Sequence, residues 1–195
     1  MDSAKVGQLI LKLRKEKNMT QREVAEAMHI SDKTISKWER GLGCPDISLL
    51  PGLSRIFGVN IEKILVGDLA PNDMDGGNMK RIKFYVCPDC GNVLTATGNA
   101  EISCCGRRLT ALTAAPAQGE HEVKVEAMED EYYLTFTHEM RKEHYLSFAA
   151  AVTYDRVLLV KLYPEQNAEL RIPQLRRSKL YYYCTQHGLM VTELN

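Results

Sequence analysis

The sequence predicts a multidomain fold in which an all-α helical bundle is followed by a small cysteine lobe and an all-β sandwich. Helical spacing and helix caps fill the first third of the chain, and short β-branched runs fill the rest. Between them lies a run rich in Gly, Pro, Asn and Asp, which is typical of a linker. The 195 residues suffice for two small cores. The predicted domains are 1–67 (helical), 68–82 (linker), 83–115 (cysteine lobe) and 116–195 (sandwich).

The helices are predicted from caps and apolar spacing. Thr20 begins a second helix with Glu23 three residues later, the spacing of a capping box. Ser31 is predicted to cap a third helix, "SDKTISKWERG", which ends at Gly41. The other signals are the apolar residues Val6, Ile10 and Leu13 of the first helix and the predicted caps Asp46 and Asn60 of two later ones.

The strands are predicted from runs that alternate or are rich in β-branched and aromatic residues. Their spacing favours a β-sandwich. The runs are "EVKVE", "YYLTFT", "YLSFAAAVT", "RVLLVKLY" and "LYYYC".

The charge distribution and the length of the apolar runs restrict the kinds of function that the sequence supports. The formal net charge is zero, but residues 1–66 carry 11 Lys and Arg residues against 8 Asp and Glu residues. The sequence shows no basic-then-apolar leader and no apolar run long enough to cross a bilayer. We therefore expect a cytoplasmic protein without membrane partners, in which clustered cysteines bind metal rather than form disulfides.

The second and third helices form a helix-turn-helix pattern whose polar first turns suit double-stranded DNA. A plain helical bundle with a solvated basic face is the alternative. However, the run from Leu11 to Asp68 resembles the Cro/C1-repressor-like helix-turn-helix family. The resemblance implies five helices and a homodimer on a pseudo-palindromic operator. The predicted DNA-contacting residues are Thr20, Gln21, Ser31, Asp32, Lys33, Thr34, Ser36, Lys37 and Arg40.

Four cysteines in the middle of the chain predict a metal site. Cys87 and Cys90 have the C-x2-C spacing of a metal knuckle, and thirteen residues separate Cys90 from the adjacent pair Cys104 and Cys105. Four thiolates select zinc or iron. A vicinal pair is an unusual arm for zinc, and the spacing alone leaves the two metals open.

Four of the five histidines follow this cluster, and singly each is typical of a surface residue. Together with "YVCPDCGNVL", "SCCGRRL", "HEMRKEHYLSF" and "YYYCTQHGL", they resemble desulfoferrodoxin, the two-iron superoxide reductase, over residues 84–195. The resemblance implies a rubredoxin-like iron centre in the cysteine lobe and an immunoglobulin-like sandwich holding a second iron. The ligands it implies are Cys87, Cys90, Cys104 and Cys105 for the first centre and His121, His138, His144, His187 and axial Cys184 for the second.

The sequence departs from that family around His121. The family carries a lysine before this histidine and a proline after it, whereas this chain has Glu120 and Glu122 as flanking residues. A carboxylate in place of a cation should slow the capture of anionic superoxide. Three hypotheses therefore remain: a regulator that senses superoxide or another small oxidant, a superoxide reductase with a DNA-binding module, and a zinc-stabilised dimerisation body.

Overall fold

The computed structural model describes residues 2–70 and 79–194. The chain divides into two compact units, residues 1–71 and 72–195. Most of the predicted linker, residues 71–78 of 68–82, lies outside the described residues. In the described part of the chain, no helix is both long and apolar enough to span a membrane. The boundaries proposed between lobe and sandwich stay a prediction.

The first unit is helical and contains five α-helices, and the predicted caps explain where several begin. Thr20 and Glu23 form the capping box in full, and the Ser31 side chain accepts from the Thr34 N–H. Asp46 caps a 3₁₀ turn, Ile47–Leu49, that leads directly into the fourth helix. The helices are α1 (Ser3–Glu16), α2 (Gln21–Ala27), α3 (Asp32–Glu39), α4 (Leu50–Phe57) and α5 (Ile61–Val66).

A single apolar core holds these helices together. Val6, Ile10 and Ile35 are fully buried, and Trp38 joins them from α3. Gly7 permits the close approach of α1 to α3, since a Cβ there would lie only 2.0 Å from the Trp38 carbonyl oxygen. The buried face of α3 thus docks on α1, which leaves its polar face outward.

The second unit is built from β-strands. Two-stranded hairpins form the cysteine lobe, and a three-stranded and a five-stranded sheet form the rest. The five-stranded sheet has the order β5-β12-β11-β8-β9, and the three-stranded sheet β10-β7-β6. The strands are β1 (Lys83–Val86), β2 (Val93–Ala96), β3 (Ile102–Cys104), β4 (Arg107–Leu109), β5 (Ala115–Pro116), β6 (Val123–Met128), β7 (Glu131–Phe136), β8 (Leu146–Val152), β9 (Val157–Lys161), β10 (Glu169–Pro173), β11 (Ser178–Cys184) and β12 (Gly188–Leu194).

Strand β8 separates two apolar cores. Ala149 and Ala151 face a core shared by the two larger sheets, whereas Phe148 and Ala150 face the cysteine lobe. On the lobe side, the rings of Phe84 and Phe148 stack with centroids 5.5 Å apart. Because both faces of β8 are covered, the whole strand is buried, and all of its residues except Ser147 are apolar.

The β-rich character of the second unit confirms the coarse prediction, while the rubredoxin-like and immunoglobulin-like labels stay predictions. All five predicted runs form strands. Sequence reasoning missed the hairpins of the lobe, the two-residue β5, and strands β10 and β12. The missed strands are short or mix charged with apolar residues, so alternation alone does not reveal them.

Candidate metal centres and recognition helix

The predicted DNA-contacting residues lie at the N-termini of α2 and α3 and along the outer face of α3. Asp32, Lys33 and Lys37 are exposed, and so is Arg40 at the C-cap. Thr34 and Ser36 are half-buried at the edge of this face. The outer face of α3 therefore offers cationic and hydroxyl groups to a ligand.

A buried ion pair fixes the position of α3. The Arg14 guanidinium donates to both carboxylate oxygens of Glu39, at 2.5 and 3.0 Å, and to the Met19 carbonyl oxygen at 2.8 Å. The Gln21 amide also donates to the Glu39 carboxylate, at 2.7 Å. Gln21, predicted as a DNA contact, thus ties α2 to α3, and its role towards DNA stays a prediction.

The four cysteines of the lobe form one cluster, with their sulfurs within 4.8 Å of one another. Cys87 and Cys90 lie in the loop between β1 and β2, where the Gly91 N–H donates to the Cys87 carbonyl oxygen. The Cys104 sulfur lies 3.6 Å from that of Cys90 and 3.9 Å from that of Cys105. Both arms of the predicted site therefore meet.

The turn between β3 and β4 explains how adjacent cysteines face one site. Cys104 pairs with Arg107, so Cys105 and Gly106 form a two-residue hairpin loop. Both loop residues have positive φ, 50° for Cys105 and 76° for Gly106. A left-handed conformation costs a non-glycine residue roughly 1 kcal/mol, and here it turns the second sulfur towards the first.

The cluster holds its thiols at different pKa values. Burial of Cys87 opposes ionisation, but N–H groups of Cys90 and Asp89 lower its pKa to about 7. Hydrogen bonds with Cys90, Cys87 and Cys104 raise the pKa of Cys105 to about 12. One thiolate is thus favoured, and a cation is required to bring several thiolates together.

The second cluster brings together the other five predicted ligands, and their ligand atoms lie within 4.8 Å of one another. The four imidazole rings form a closed ring of neighbours, with centroid distances of 5.1, 4.5, 5.0 and 4.9 Å around the circuit. The buried Cys184 sulfur lies 3.2 Å from one imidazole nitrogen and 3.5 Å from another. The imidazoles in circuit order are His121, His138, His144 and His187.

Separate loops at one end of the sheets supply these ligands. His121 ends the turn before β6, and His138 follows β7. His144 precedes β8, Cys184 ends β11, and His187 lies in the turn before β12. The β11 ladder shifts register between Tyr183 and Cys184, an irregularity that is common beside functional sites.

Glu139, which sequence reasoning missed, fixes the protonation of two imidazoles. Its carbonyl oxygen accepts from Nδ1 of His138, and its carboxylate accepts from Nδ1 of His144 at 2.6 Å. Because these oxygens only accept, Nδ1 carries a proton in both rings, which leaves Nε2 of His138 without a partner among the described residues and Nε2 of His144 beside the Cys184 sulfur. Orienting metal-ligating histidines in this way is a common second role in metal sites. The sequence signal that could have identified Glu139 is its position between His138 and His144.

Two backbone N–H groups lie at the Cys184 sulfur. The N–H groups of Gln186 and His187 both point to it, each at 3.4 Å. Burial lowers the pKa of His121 and of His138, which keeps these imidazoles neutral. Neutral imidazoles beside a sulfur acceptor are a donor set for a cation.

A metal ion fits this cluster. Nε2 of His138 is buried and has no hydrogen-bond partner among the described residues. An orphaned buried lone pair that faces other lone pairs is costly unless a cation accepts them. Five converging ligands exceed the tetrahedral set that zinc usually takes in structural sites, and the mixture of imidazoles with one thiolate suits a transition-metal ion.

A carboxylate lies at the rim of the second cluster. Glu120 Oε1 lies 3.6 Å from Nδ1 of His187, and the Glu120 side chain is exposed. The family lysine expected at this place is absent from the sequence. An incoming anion therefore meets negative charge before it reaches the imidazoles.

Each of the two units is similar to known proteins. Residues 10–64 match the helix-turn-helix family HTH_3. The N-terminal domain is a helix-turn-helix domain. The chain is also 38% identical over 78 residues to the HTH-type transcriptional activator BcrR of Enterococcus faecalis. The matched segment covers 38% of each chain, so the chain spans well under half the length of this relative.

The second unit has structural likeness to a superoxide reductase. The superoxide reductase of Treponema pallidum superimposes with a TM-score of 0.51 and 18% identity, over 57% of this chain and 96% of that one. At this identity the likeness shows the fold. The chain thus joins a helix-turn-helix domain to a β-rich unit that resembles superoxide reductases and carries a His4Cys cluster.

Proposed function

We propose that this protein is a transcriptional regulator that binds double-stranded DNA through α3 as a homodimer. Its His4Cys centre holds iron and senses superoxide or another small oxidant. The observation that carries the proposal is one chain with both a helix-turn-helix domain and a largely buried five-ligand cluster. The homology to a transcriptional activator supports DNA binding by the first unit.

The five ligands have the chemistry that a redox sensor needs. Ferrous iron supplies one electron to an oxidant when it is bound. The chain keeps two imidazoles in the Nδ1-H tautomer through Glu139 and points two N–H groups at Cys184. Hydrogen bonds to a ligating sulfur are one means by which a protein tunes a reduction potential.

A superoxide reductase that carries a DNA-binding module is the second candidate, and the ligand set favours it. The carboxylate of Glu120 opposes it, because it repels the anionic substrate at the rim. A sensor needs only one reaction per signal, whereas an enzyme needs rapid capture. The rim charge therefore favours sensing.

The deciding experiment compares operator affinity for the reduced, the superoxide-treated and the metal-free protein under anaerobic conditions. We expect the reduced and oxidised forms to differ by about 5- to 150-fold, the range of allosteric coupling. Cys184→Ser should abolish the difference. Cys44→Ser is the matched control, since Cys44 lies in the helical unit outside both clusters.

Equal affinities in all three states would exclude the sensor. Metal analysis with a visible spectrum separates the remaining alternatives. Two iron ions per chain would support a redox function, whereas zinc alone would support a zinc-stabilised dimerisation body. Rapid peroxide formation from superoxide would favour the enzyme.

A further inference from the structure

Strand β6 is an uncovered edge of the three-stranded sheet. It pairs with β7 on one side, and no strand among the described residues pairs with its other side. The Thr137 N–H donates to the Glu122 carbonyl oxygen, and pairing continues from there along β6 and β7. In an antiparallel ladder the direction of the backbone groups alternates. The N–H and C=O groups of Val123, Val125 and Ala127 therefore point away from β7.

The core-facing side of β6 is also open. Val123, Val125 and Ala127 pair with Phe136, Leu134 and Tyr132 of β7, so their side chains share a face with these buried residues. Nevertheless Val125 is 38% exposed, and Ala127 is exposed. An apolar strip beside unpaired backbone groups is a template for another strand.

We propose that a second copy of this chain pairs with β6 in antiparallel orientation, with Val125 opposite Val125. In this register Val123 lies opposite Ala127, and all three pairs use the outward backbone groups. Each such pair exchanges two hydrogen bonds. The apolar strips of the two copies then form one continuous surface.

Charge selects this register over its neighbours. Lys124 and Glu126 lie on the outer face of β6, 71% and 46% exposed, with their charged groups 2.8 Å apart. With Val125 at the centre, each Lys124 lies opposite a Glu126 of the other copy. A register centred one residue earlier sets Lys124 opposite Lys124, and one residue later sets Glu126 opposite Glu126. Like charges directly opposite are destabilising.

The other edges of the two larger sheets, β5, β9 and β10, are less suited to this role. The edge strands β5 and β10 contain Pro116 and Pro173. Pro173 lies at an outward position, since the next residue, Gln174, donates to the Asp130 carbonyl oxygen across β7. Proline has no N–H to donate there. Strand β9 is packed on both faces, and its apolar centre offers no charge to choose a register.

The pairing lies next to the His4Cys cluster. Val123 pairs with Phe136 across the ladder. His121 comes two residues before Val123, and His138 comes two residues after Phe136. The β6–β7 hairpin thus carries two of the predicted ligands at the end where the intermolecular ladder begins. Movement of these imidazoles therefore changes the dimer edge directly. This step rests on the proposed function, whereas the interface itself does not.

The test is a charge swap in the full chain, with the dimer dissociation constant measured by sedimentation at low ionic strength. Lys124→Glu and Glu126→Lys should each weaken dimerisation about tenfold, because each makes both cross-strand pairs repulsive. The double variant Lys124→Glu/Glu126→Lys should restore it. Lys161→Glu, the same charge change on the edge strand β9, should leave it unchanged.

A monomeric wild type, single variants that dimerise normally, a double variant without recovery, or an equal effect of Lys161→Glu would each overturn the interface. Operator affinity of the same proteins tests the proposed function separately. A wild-type dimer that responds to the swap but binds no operator would retain the interface and exclude the regulator.

Discussion

The two units treat buried polar groups in opposite ways. In the helical unit, Arg14 and Glu39 satisfy each other, with the Glu39 side chain only 4% exposed. In the β unit, the buried Nε2 of His138 finds no partner among the described residues, and the Cys184 sulfur faces imidazole nitrogens. The first arrangement needs nothing from outside, whereas the second needs a cation.

This difference distinguishes polar groups that stabilise the fold from polar groups that are arranged to bind a ligand. The helical unit has exposed polar and cationic side chains on the outer face of α3, where a ligand can reach them. The β unit gathers them in two clusters, in each of which the candidate ligand atoms lie within 4.8 Å of one another.

The double variant Cys104→Ser/Cys105→Ser should remove one metal equivalent and destabilise only the β unit. A metal present at about a thousand times its dissociation constant contributes roughly 4 kcal/mol of stability. Metal analysis and thermal unfolding followed by circular dichroism measure the change. Fluorescence of Trp38, the single tryptophan, reports the helical unit and should not change. Full metal content with an unaltered transition would remove the pair from the ligand set.

Arg14→Met should destabilise the helical unit by about 3 kcal/mol, because it leaves the buried Glu39 carboxylate without its cation. Denaturant unfolding followed by Trp38 fluorescence measures the loss. The matched double variant Arg14→Met/Glu39→Met removes both charges and should recover much of it. A loss below about 1 kcal/mol for Arg14→Met would mean that the pair behaves as a surface ion pair.

Lys37→Ala should weaken operator binding by about 1–3 kcal/mol, since the exposed lysine lies on the recognition helix. A gel shift at several salt concentrations should also show a smaller salt slope. Lys12→Ala on α1 is the control with the same charge change. If the two variants bind equally well, the docking of α3 is wrong.

The helical unit should lose stability in acid through Glu39. Burial opposes ionisation of this carboxyl, but hydrogen bonds from Arg14 and Gln21 hold its pKa below the usual 4.5. The stabilisation is therefore complete above about pH 4.5 and is lost as the pH falls through the lower folded value. Unfolding monitored by Trp38 at several pH values tests this, and Glu39→Gln should flatten the profile. A wild-type profile as flat as that of Glu39→Gln would contradict it.

The local elements of the fold were predictable from sequence because their signals are local. The capping box at Thr20, the cap at Ser31 and the strands β6 to β9 follow from neighbouring residues. The lobe hairpins were missed, because their strands have only three or four residues and depend on the turns that join them, such as Cys105 and Gly106 between β3 and β4. Their pairing partners, not their own patterns, make them strands.

The candidate sites show the same division between local signals and long-range packing. Sequence by itself determined the residue types: a C-x2-C arm, a vicinal pair, the spaced histidines and a polar recognition helix. Only the tertiary structure decided that Glu139 sets two tautomers, that Gln21 is held by Glu39, and that Cys105 turns back beside Cys104. The type of residue that can bind a metal or DNA is a property of its own side chain. Convergence depends on strand register and loop geometry, which distant residues impose through packing.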